Sequence, residues 1–367
     1  MMMKRKMTRV LMPFACILAA GSSQVGRSAD KPDSVVVMHA YLVGNSLIRS
    51  ITPTRLHELM AEEGIDFQFG SQLRGGYSLA QHWETLEKGE TIRYWESNKP
   101  VNGHFEPGRP DGDRLPKRFG SYWTAHKDHK WDALVLQPHL GRGRQEELEA
   151  FRKFVAYSIE HESARQIYVY ASWLMRPVLR DENGKRSGVG NLDFQAVWEG
   201  RSIGTPGNRT QMAHVVRKDY LSFMRTVNEE FADQLGRPIL MIPFGDVVSE
   251  LDRRLKAGEI PGLDELHKRD PKRIPSWDPQ SKAAVGANIL YADRGHPVAA
   301  PHLDGTIANY VIGLMYYSVL TGKSPIGLSG KAYKLGNQED EELRIALQTA
   351  VWDVVSNHPF TGVRKLP

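Results

Sequence analysis

The sequence has almost no cysteine: Cys16 is the single one among 367 residues. Cys16 lies in an apolar run near the start of the chain, with too little hydrophobic chain before it to serve as a lipid-attachment site. Without the segment that contains Cys16 the protein has no thiol, which excludes disulfides, zinc–thiolate sites and cysteine nucleophiles. Stability must then come from a hydrophobic core, and the chain is long enough to build one.

Long apolar runs and an excess of one charge are also lacking in the body of the chain. Mean hydropathy is -0.44, and no stretch of twenty apolar residues predicts a transmembrane helix. Of 48 Lys and Arg residues, five lie within residues 1–29, where no acidic residue occurs; the rest of the chain has 43 basic and 43 acidic residues. The net charge of +5 therefore belongs to the start of the chain, and no nucleic-acid partner is expected.

The first 29 residues predict a leader. A basic start is followed by an apolar run over residues 10–20 and small residues over 19–23, the order typical of a secretory signal peptide. We expect cleavage near Gly21 and a secreted or periplasmic protein with no membrane span once the leader is removed. Residues 30–367 are then expected to form one domain.

Apolar segments with two different periodicities predict an α/β fold. Segments over 53–63, 78–88, 306–320 and 340–355, with two more around Phe151 and Phe223, predict helices. Strands alternating with helices predict one doubly wound α/β domain, in which helices flank a mostly parallel five-stranded sheet. The five predicted strands are 35–43, 67–73, 132–137, 166–171 and 239–242.

Three stretches fit neither periodicity and are predicted to be long loop insertions. They lie near residues 90–130, 179–208 and 257–289 and are rich in Gly, Pro and charged residues. Loops of this length in a compact domain either carry function or decorate the fold, and both alternatives stay open here.

A serine follows the first predicted strand, in the run Val43-Gly44-Asn45-Ser46-Leu47. This position places the hydroxyl at the carboxyl edge of the sheet, where open α/β sheets bind ligands. The alternative is an Asn/Ser turn that caps the next helix. No second glycine follows Ser46, so the run is not the G-x-S-x-G elbow of α/β-hydrolases.

An acid and a histidine lie three positions apart late in the chain, as Asp293 and His296. A neutral imidazole can take the proton of a serine hydroxyl when a carboxylate holds its other nitrogen. The alternative is that His296 only starts a turn before Pro297.

Four separated blocks resemble the ordered motifs of SGNH (GDSL-type) hydrolases, over roughly residues 35–325. They are Gly44-Asn45-Ser46, Gly76, a polar amide after the third strand, and Asp293-x-x-His296. The resemblance implies a flavodoxin-like three-layer sandwich with Ser46 as nucleophile, His296 as general base and Asp293 orienting the histidine. It also implies an oxyanion hole formed by the N–H groups of Ser46 and Gly76 with a side-chain amide, and no cofactor or metal.

Two positions depart from the family pattern. Gln137 stands where most members have asparagine, and this resembles the carbohydrate-acetylesterase-like branches, which favours acylated sugars as substrates. His302 offers a second histidine before the closing helix and is the alternative base. His296 is favoured because Asp293 precedes it by three positions, whereas Ala299 holds that position relative to His302.

The leading hypothesis is an exported serine esterase that removes a small acyl group, such as acetyl, from a carbohydrate. Its partner would be a small-molecule or glycan ester, and the oligomeric state stays open. The first alternative is a metal-dependent hydrolase and the second is a non-catalytic carbohydrate-binding member of the same fold. Candidate substrate-binding residues are Asn45, Trp173 and Arg176; candidate metal ligands under the first alternative are Asp293, His296, His302 and Asp304.

Overall fold

The computed structural model describes residues 35–90, 119–201, 215–274, 277–278, 280, 286–291, 302–303 and 307–364. Five of its strands form one sheet and two form a separate hairpin. Each of the five predicted strands coincides with a strand of the sheet, so the predicted α/β class is confirmed. The strands are β1 (Val36–Gly44), β2 (Ile65–Leu73), β3 (Ala133–Leu136), β4 (Ile167–Ala171), β5 (Val178–Arg180), β6 (Arg186–Val189) and β7 (Leu240–Pro243).

The five-stranded sheet has the order β2-β1-β3-β4-β7, and every pair in it is parallel. Strands β3 and β4 are buried along their whole length, as expected where helices cover both faces of a parallel sheet. The chain passes from β1 to β2 in one direction and then returns past β1 to β3. The carboxyl ends of β1 and β3 therefore flank the crevice at which doubly wound sheets bind ligands.

Helices connect the strands and cover the sheet. Among the described helices, six match the segments predicted from periodicity, whereas the 13-residue helix Phe244–Lys256 was not predicted. The α-helices are α1 (Ser46–Arg49), α2 (Pro53–Ala61), α3 (Leu79–Glu87), α4 (Tyr122–Asp128), α5 (Arg144–Glu160), α6 (Phe194–Trp198), α7 (Arg217–Leu235), α8 (Phe244–Lys256), α9 (Leu263–Arg269), α10 (Ile307–Thr321) and α11 (Glu341–Asn357).

The helices form two layers because strand crossovers are right-handed. Helix α2 connects β1 to β2, whereas α3, α5 and α7 lie in connections that run the other way along the sheet, so they cover the opposite face. Contacts agree with this division: α3 packs on α5 and α5 on α7, while α10 packs on α2 and α11. Helix α10 is buried on nearly all sides, which explains why its sequence is apolar all round.

The predicted loop insertions contain short elements where they are described. Helix α4 lies in the first stretch, the β5–β6 hairpin and α6 in the second, and α9 in the third. Helix α4 has seven residues and is capped by the hydroxyl of Ser121, which accepts from the Thr124 N–H. Helices of five to seven residues span fewer than two turns, so no apolar periodicity reveals them in the sequence.

The leader prediction concerns residues 1–29, which lie outside the described residues. Among the described helices, none is both long enough and apolar enough to cross a lipid bilayer.

Candidate active site

Ser46 lies immediately beyond β1, as the first residue of the four-residue helix α1. Asn45 caps this turn, because its side-chain Oδ1 accepts a hydrogen bond of 3.0 Å from the Leu47 N–H. Ser46 is partly exposed, whereas Gly44 and Asn45 beneath it are buried. The turn therefore presents a serine side chain at the carboxyl edge of the sheet on a fixed backbone.

The backbone at Gly44 is enclosed by neighbouring groups. A Cβ atom at this position would stand 2.5 Å from Oε1 of Gln137, so only glycine fits. The Gly44 carbonyl accepts from His82 Nε2 at 2.7 Å and from the Arg74 N–H at 3.2 Å. Burial lowers the pKa of His82 to about 4, so this imidazole is neutral and its proton lies on Nε2, facing the carbonyl.

The loop after β2 is tied to the serine turn through Asn45. The side-chain Nδ2 of Asn45 donates to the Tyr77 carbonyl at 3.0 Å. Gly76 precedes Tyr77 in a turn closed by the Tyr77 N–H and the Arg74 carbonyl at 3.1 Å, and its φ of 71° is accessible to glycine at little cost. Gly76 thus lies in a loop that Asn45 joins to Ser46.

Gln137 follows β3 and reaches the same turn from the other side. It is buried, and its Oε1 accepts a hydrogen bond of 3.1 Å from the Asn45 N–H. A backbone N–H can only donate, so the amide orientation is fixed with oxygen toward Asn45. The Nε2 end is therefore the end that can donate to a ligand.

A histidine from the far end of the chain stands beside the serine. His302 Nε2 lies 3.3 Å from Ser46 Oγ, although the two residues are 256 positions apart in the sequence. Asp293 and His296 lie outside the described residues, as does Asp304. Among the described residues, the histidine beside Ser46 is thus His302, the alternative base predicted from the sequence.

The position of His302 is supported through its neighbour Leu303. Leu303 forms an antiparallel bridge with Tyr291, whose hydroxyl donates to the Leu174 carbonyl at 2.5 Å. Tyr291 follows a 3-10 turn over Gly286–Leu290, in which Asn288 donates to the Leu192 carbonyl at 3.0 Å. The histidine is therefore held on a buried framework that extends beyond β4.

Glu147 joins two of the loops of this site. Its carboxylate is buried and accepts from the N–H groups of His139 at 2.6 Å, Leu79 at 3.0 Å and Ala80 at 3.2 Å. Burial raises the pKa of Glu147, and these hydrogen bonds oppose the rise by favouring the carboxylate. The sequence does not reveal this role, because Glu147 looks like an ordinary acid in the first turn of a helix.

The three predicted substrate-binding residues are all buried. Both ends of the Asn45 amide bond the protein backbone, as described above. Trp173 packs edge-on against Phe244, with ring centroids 5.1 Å apart, and Arg176 Nε donates to the Gly190 carbonyl at 3.0 Å. These contacts favour structural roles for the three side chains.

The residues needed for the metal alternative are mostly outside the described part of the chain. His302 is the one of the four that is described. Among the described residues, no group of three or more His, Cys, Asp or Glu side chains is arranged to hold a metal ion.

A cavity of about 630 Å³ opens at the opposite edge of the sheet. Its lining includes His39, Asp132 and Arg165, which lie near the amino ends of β1, β3 and β4. Ligands of open α/β sheets bind at the carboxyl edge, so we assign the candidate active site to the Ser46 edge despite the size of this cavity.

No protein-family model and no curated protein matches the sequence. Among solved structures, the chain is similar to a DUF4886 family protein from Bacteroides uniformis ATCC 8492, with a TM-score of 0.53 and 18% sequence identity. The match covers 90% of this chain and 98% of that chain. At this identity the similarity supports the fold alone.

Proposed function

We propose that this protein is an exported serine esterase, similar to SGNH hydrolases, that removes a small acyl group such as acetyl from a carbohydrate. The observation that carries the proposal is the 3.3 Å separation of Ser46 Oγ and His302 Nε2 at the ligand-binding edge of the sheet. A partly exposed hydroxyl within proton-sharing distance of an imidazole is the arrangement that nucleophilic acyl transfer needs.

In the acylation step, His302 Nε2 takes the proton of Ser46 while Oγ bonds to the ester carbonyl carbon. The carbonyl electron pair moves onto oxygen, and the tetrahedral intermediate carries a negative charge there. Collapse breaks the bond to the sugar oxygen, which takes the proton from His302 and leaves as the alcohol. Water then repeats the sequence on the acyl-serine, releasing the carboxylic acid and restoring Ser46.

The negative oxygen of the intermediate needs donors that are in place before the reaction. We assign this role to the N–H groups of Ser46 and Gly76 and to Nε2 of Gln137. The fixed orientation of Gln137 supports its part, because Asn45 holds the oxygen end of the amide. Asn45, His82 and Glu147 act as positioning residues for these loops.

The choice of substrate rests on sequence. The leader predicts export, and the glutamine in the third block resembles branches that deacetylate sugars. A neutral sugar ester is therefore the substrate class to test first.

Hydrolysis of an aryl acetate by wild type and by Ser46→Ala tests the proposal, together with labelling by a fluorophosphonate. We expect the substitution to lower kcat/KM by about 10⁴-fold or more and to abolish labelling, because the nucleophile is lost. Ser50→Ala, four positions along the same turn, is the matched control and should retain both aryl acetate hydrolysis and fluorophosphonate labelling. Wild-type rates in Ser46→Ala would remove the nucleophile assignment; binding of acetylated sugars without turnover in wild type would favour the non-catalytic alternative.

A further inference from the structure

Arginines are concentrated in the turns of the candidate active site. The three turns that carry Ser46, Gly76 and Gln137 span residues 45–52, 74–78 and 137–144, and together they contain four arginines and no aspartate or glutamate. They follow β1, β2 and β3 at the carboxyl edge of the sheet, where ligands of such sheets bind. Charges of one sign gathered at a cleft attract ligands of the opposite sign.

Arg74 lies on the loop that carries Gly76. Its guanidinium carbon stands 4.2 Å from the centre of the Tyr77 ring, so the guanidinium rests on the ring. This stacking uses the face of the guanidinium and leaves the N–H groups at its edge for other partners. Arg74 is exposed, and so are Gly75 and Gly76 beside it. A charged group therefore stands on the same loop as the proposed oxyanion donor.

Arg142 approaches this loop from the turn after β3 and is also exposed. Its Nη1 donates to Oε1 of Gln81, on the first turn of α3, at 3.0 Å. Its Nη2 lies 3.8 Å from the point that a Cβ atom of Gly76 would occupy. A Cβ atom at Gly75 would meet nothing within 4 Å, so the surface of the loop is open there. A bound ligand can therefore reach the Arg142 guanidinium at the Gly76 loop.

The charge of these two arginines is not neutralised by an acid in the described part of the chain. Neither side chain forms an ion pair there. Glu147 joins the same loops, but it is buried and its carboxylate accepts three backbone N–H groups. Burial, with a further effect of the Arg142 charge, lowers the pKa of His139 to about 4, so this neighbour is neutral. The positive charge is therefore left to act on a ligand.

We propose that the substrate is an acidic saccharide ester, whose carboxylate or sulfate group binds the guanidinium of Arg142 while Arg74 strengthens the positive potential. This inference rests on the proposed esterase function and narrows its substrate class. The forked N–H groups of arginine match two oxygens of a carboxylate or a sulfate. The neutral sugar ester named above is then the reference compound, and an acidic ester is preferred to it.

Monoacetates of three methyl glycosides that differ only at C6 test the proposal: the glucoside, the glucuronoside and the glucoside 6-sulfate. At low ionic strength we expect wild-type kcat/KM to be about fivefold higher, or more, for the acidic esters, mainly through a lower KM. About 0.5 M NaCl should reduce this advantage below about twofold, because salt screens exposed charges. The two acidic esters distinguish a carboxylate from a sulfate as the bound group.

One substitution and a matched control assign the preference to Arg142. Arg142→Gln should lower the ratio of acidic to neutral kcat/KM below about twofold, because the charge is lost. This ratio cancels any change that affects both esters alike. Arg144→Gln is the control: Arg144 is also exposed, but its Nη2 donates to Ser222 Oγ on α7 at 2.5 Å. It should keep the wild-type ratio, and circular dichroism checks that both variants are folded.

Binding of the same esters to Ser46→Ala, measured by calorimetry, separates this proposal from the esterase reaction, because binding needs no turnover. We expect the acidic esters to bind about fivefold more tightly than the neutral one, or better, even if wild type hydrolyses none of them. Aryl acetate hydrolysis without a preference for acidic esters, in kinetics and in binding, would overturn the acidic substrate alone. An equal loss of kcat on acidic and neutral esters in Arg142→Gln would overturn it too and assign Arg142 to the oxyanion instead.

Discussion

Gln137 is a side chain whose two ends have different tasks. Its oxygen accepts from the Asn45 N–H, and its nitrogen is the proposed donor to the reacting oxygen. Gln137→Glu keeps the shape and the first contact but replaces the donor with an acceptor. We expect kcat for an aryl acetate to fall by about 10²–10³ with little change in KM, because the lost contact forms only in the transition state. Thermal melting checks that the fold is retained, and a kcat within threefold of wild type would exclude Gln137 from the oxyanion hole.

The identity of the base can be decided by a pair of substitutions. His302 lies 3.3 Å from Ser46 Oγ, whereas the sequence analysis favoured His296 because of Asp293. We expect His302→Ala to lower kcat/KM by about 10³-fold or more and His296→Ala by less than tenfold. Steady-state hydrolysis of an aryl acetate measures both. The reverse ranking would assign the base to His296 and leave His302 as a neighbour of the nucleophile.

At the scale of elements, a carboxylate on α5 holds the amino end of α3 to the loop after β3. Glu147→Gln retains an oxygen for two of the three N–H donors but turns an NH₂ group toward the third. We expect a loss of about 1–3 kcal/mol in the free energy of unfolding and a lower kcat with a smaller change in KM. Urea denaturation and steady-state kinetics measure these effects.

Glu149→Gln provides the control for that substitution. Glu149 lies on the same helix, is exposed and bonds only a neighbouring surface glutamine in the contacts described for it. Glu149→Gln should leave the free energy of unfolding within about 0.5 kcal/mol of wild type. If both variants behave alike, Glu147 has no positioning role.

Most elements with strong periodicity could be predicted from the sequence, but the 13-residue helix α8 was not predicted, and neither were the short elements. Strand β3 is a solid apolar run and was predicted to within one residue at each end, and α7 repeats its apolar residues at helical spacing around Phe223. Helix α6 and the β5–β6 hairpin are too short to repeat a pattern. Their existence depends on tertiary contacts such as the packing of α6 on α8.

At the scale of the whole molecule, four histidines of the described part of the chain are buried and neutral. Burial lowers the pKa of His82, His139 and His358 to about 4 and that of His126 to about 3, from an ordinary value of 6.5. Between pH 6.5 and these lowered pKa values, the unfolded chain therefore binds more protons than the folded chain. The contribution of these neutral histidines to the free energy of unfolding is fully present above about pH 6.5 and is lost as the pH falls toward 4.

Urea denaturation at several pH values tests this expectation. We expect the free energy of unfolding to decrease steeply between pH 6.5 and 4, with each histidine contributing up to about 3 kcal/mol. His126→Gln should flatten the pH dependence because it removes one of the titrating groups. A free energy of unfolding that stays constant over this interval would contradict the burial of neutral histidines.

The candidate site was partly predictable because one rule of topology connects sequence to space. Parallel strands end at one edge, so residues after β1, β2 and β3 lie near one another, and Asn45 contacts both Tyr77 and Gln137. No comparable rule predicts where the loop that carries His302, late in the chain, lies relative to the sheet. The position of His302 depends on the Tyr291–Leu303 bridge and on buried contacts beyond β4, which leave no local signal in the sequence.

The separation of Ser46 and His302 along the chain has a consequence for biosynthesis. The hydroxyl leaves the ribosome 256 residues before the imidazole, and the bridge beside His302 forms only after Leu303 has emerged. In the proposed mechanism, the Ser46 hydroxyl is therefore not activated until His302 has emerged. Fragments released before that point lack the proposed base and are expected to be inert.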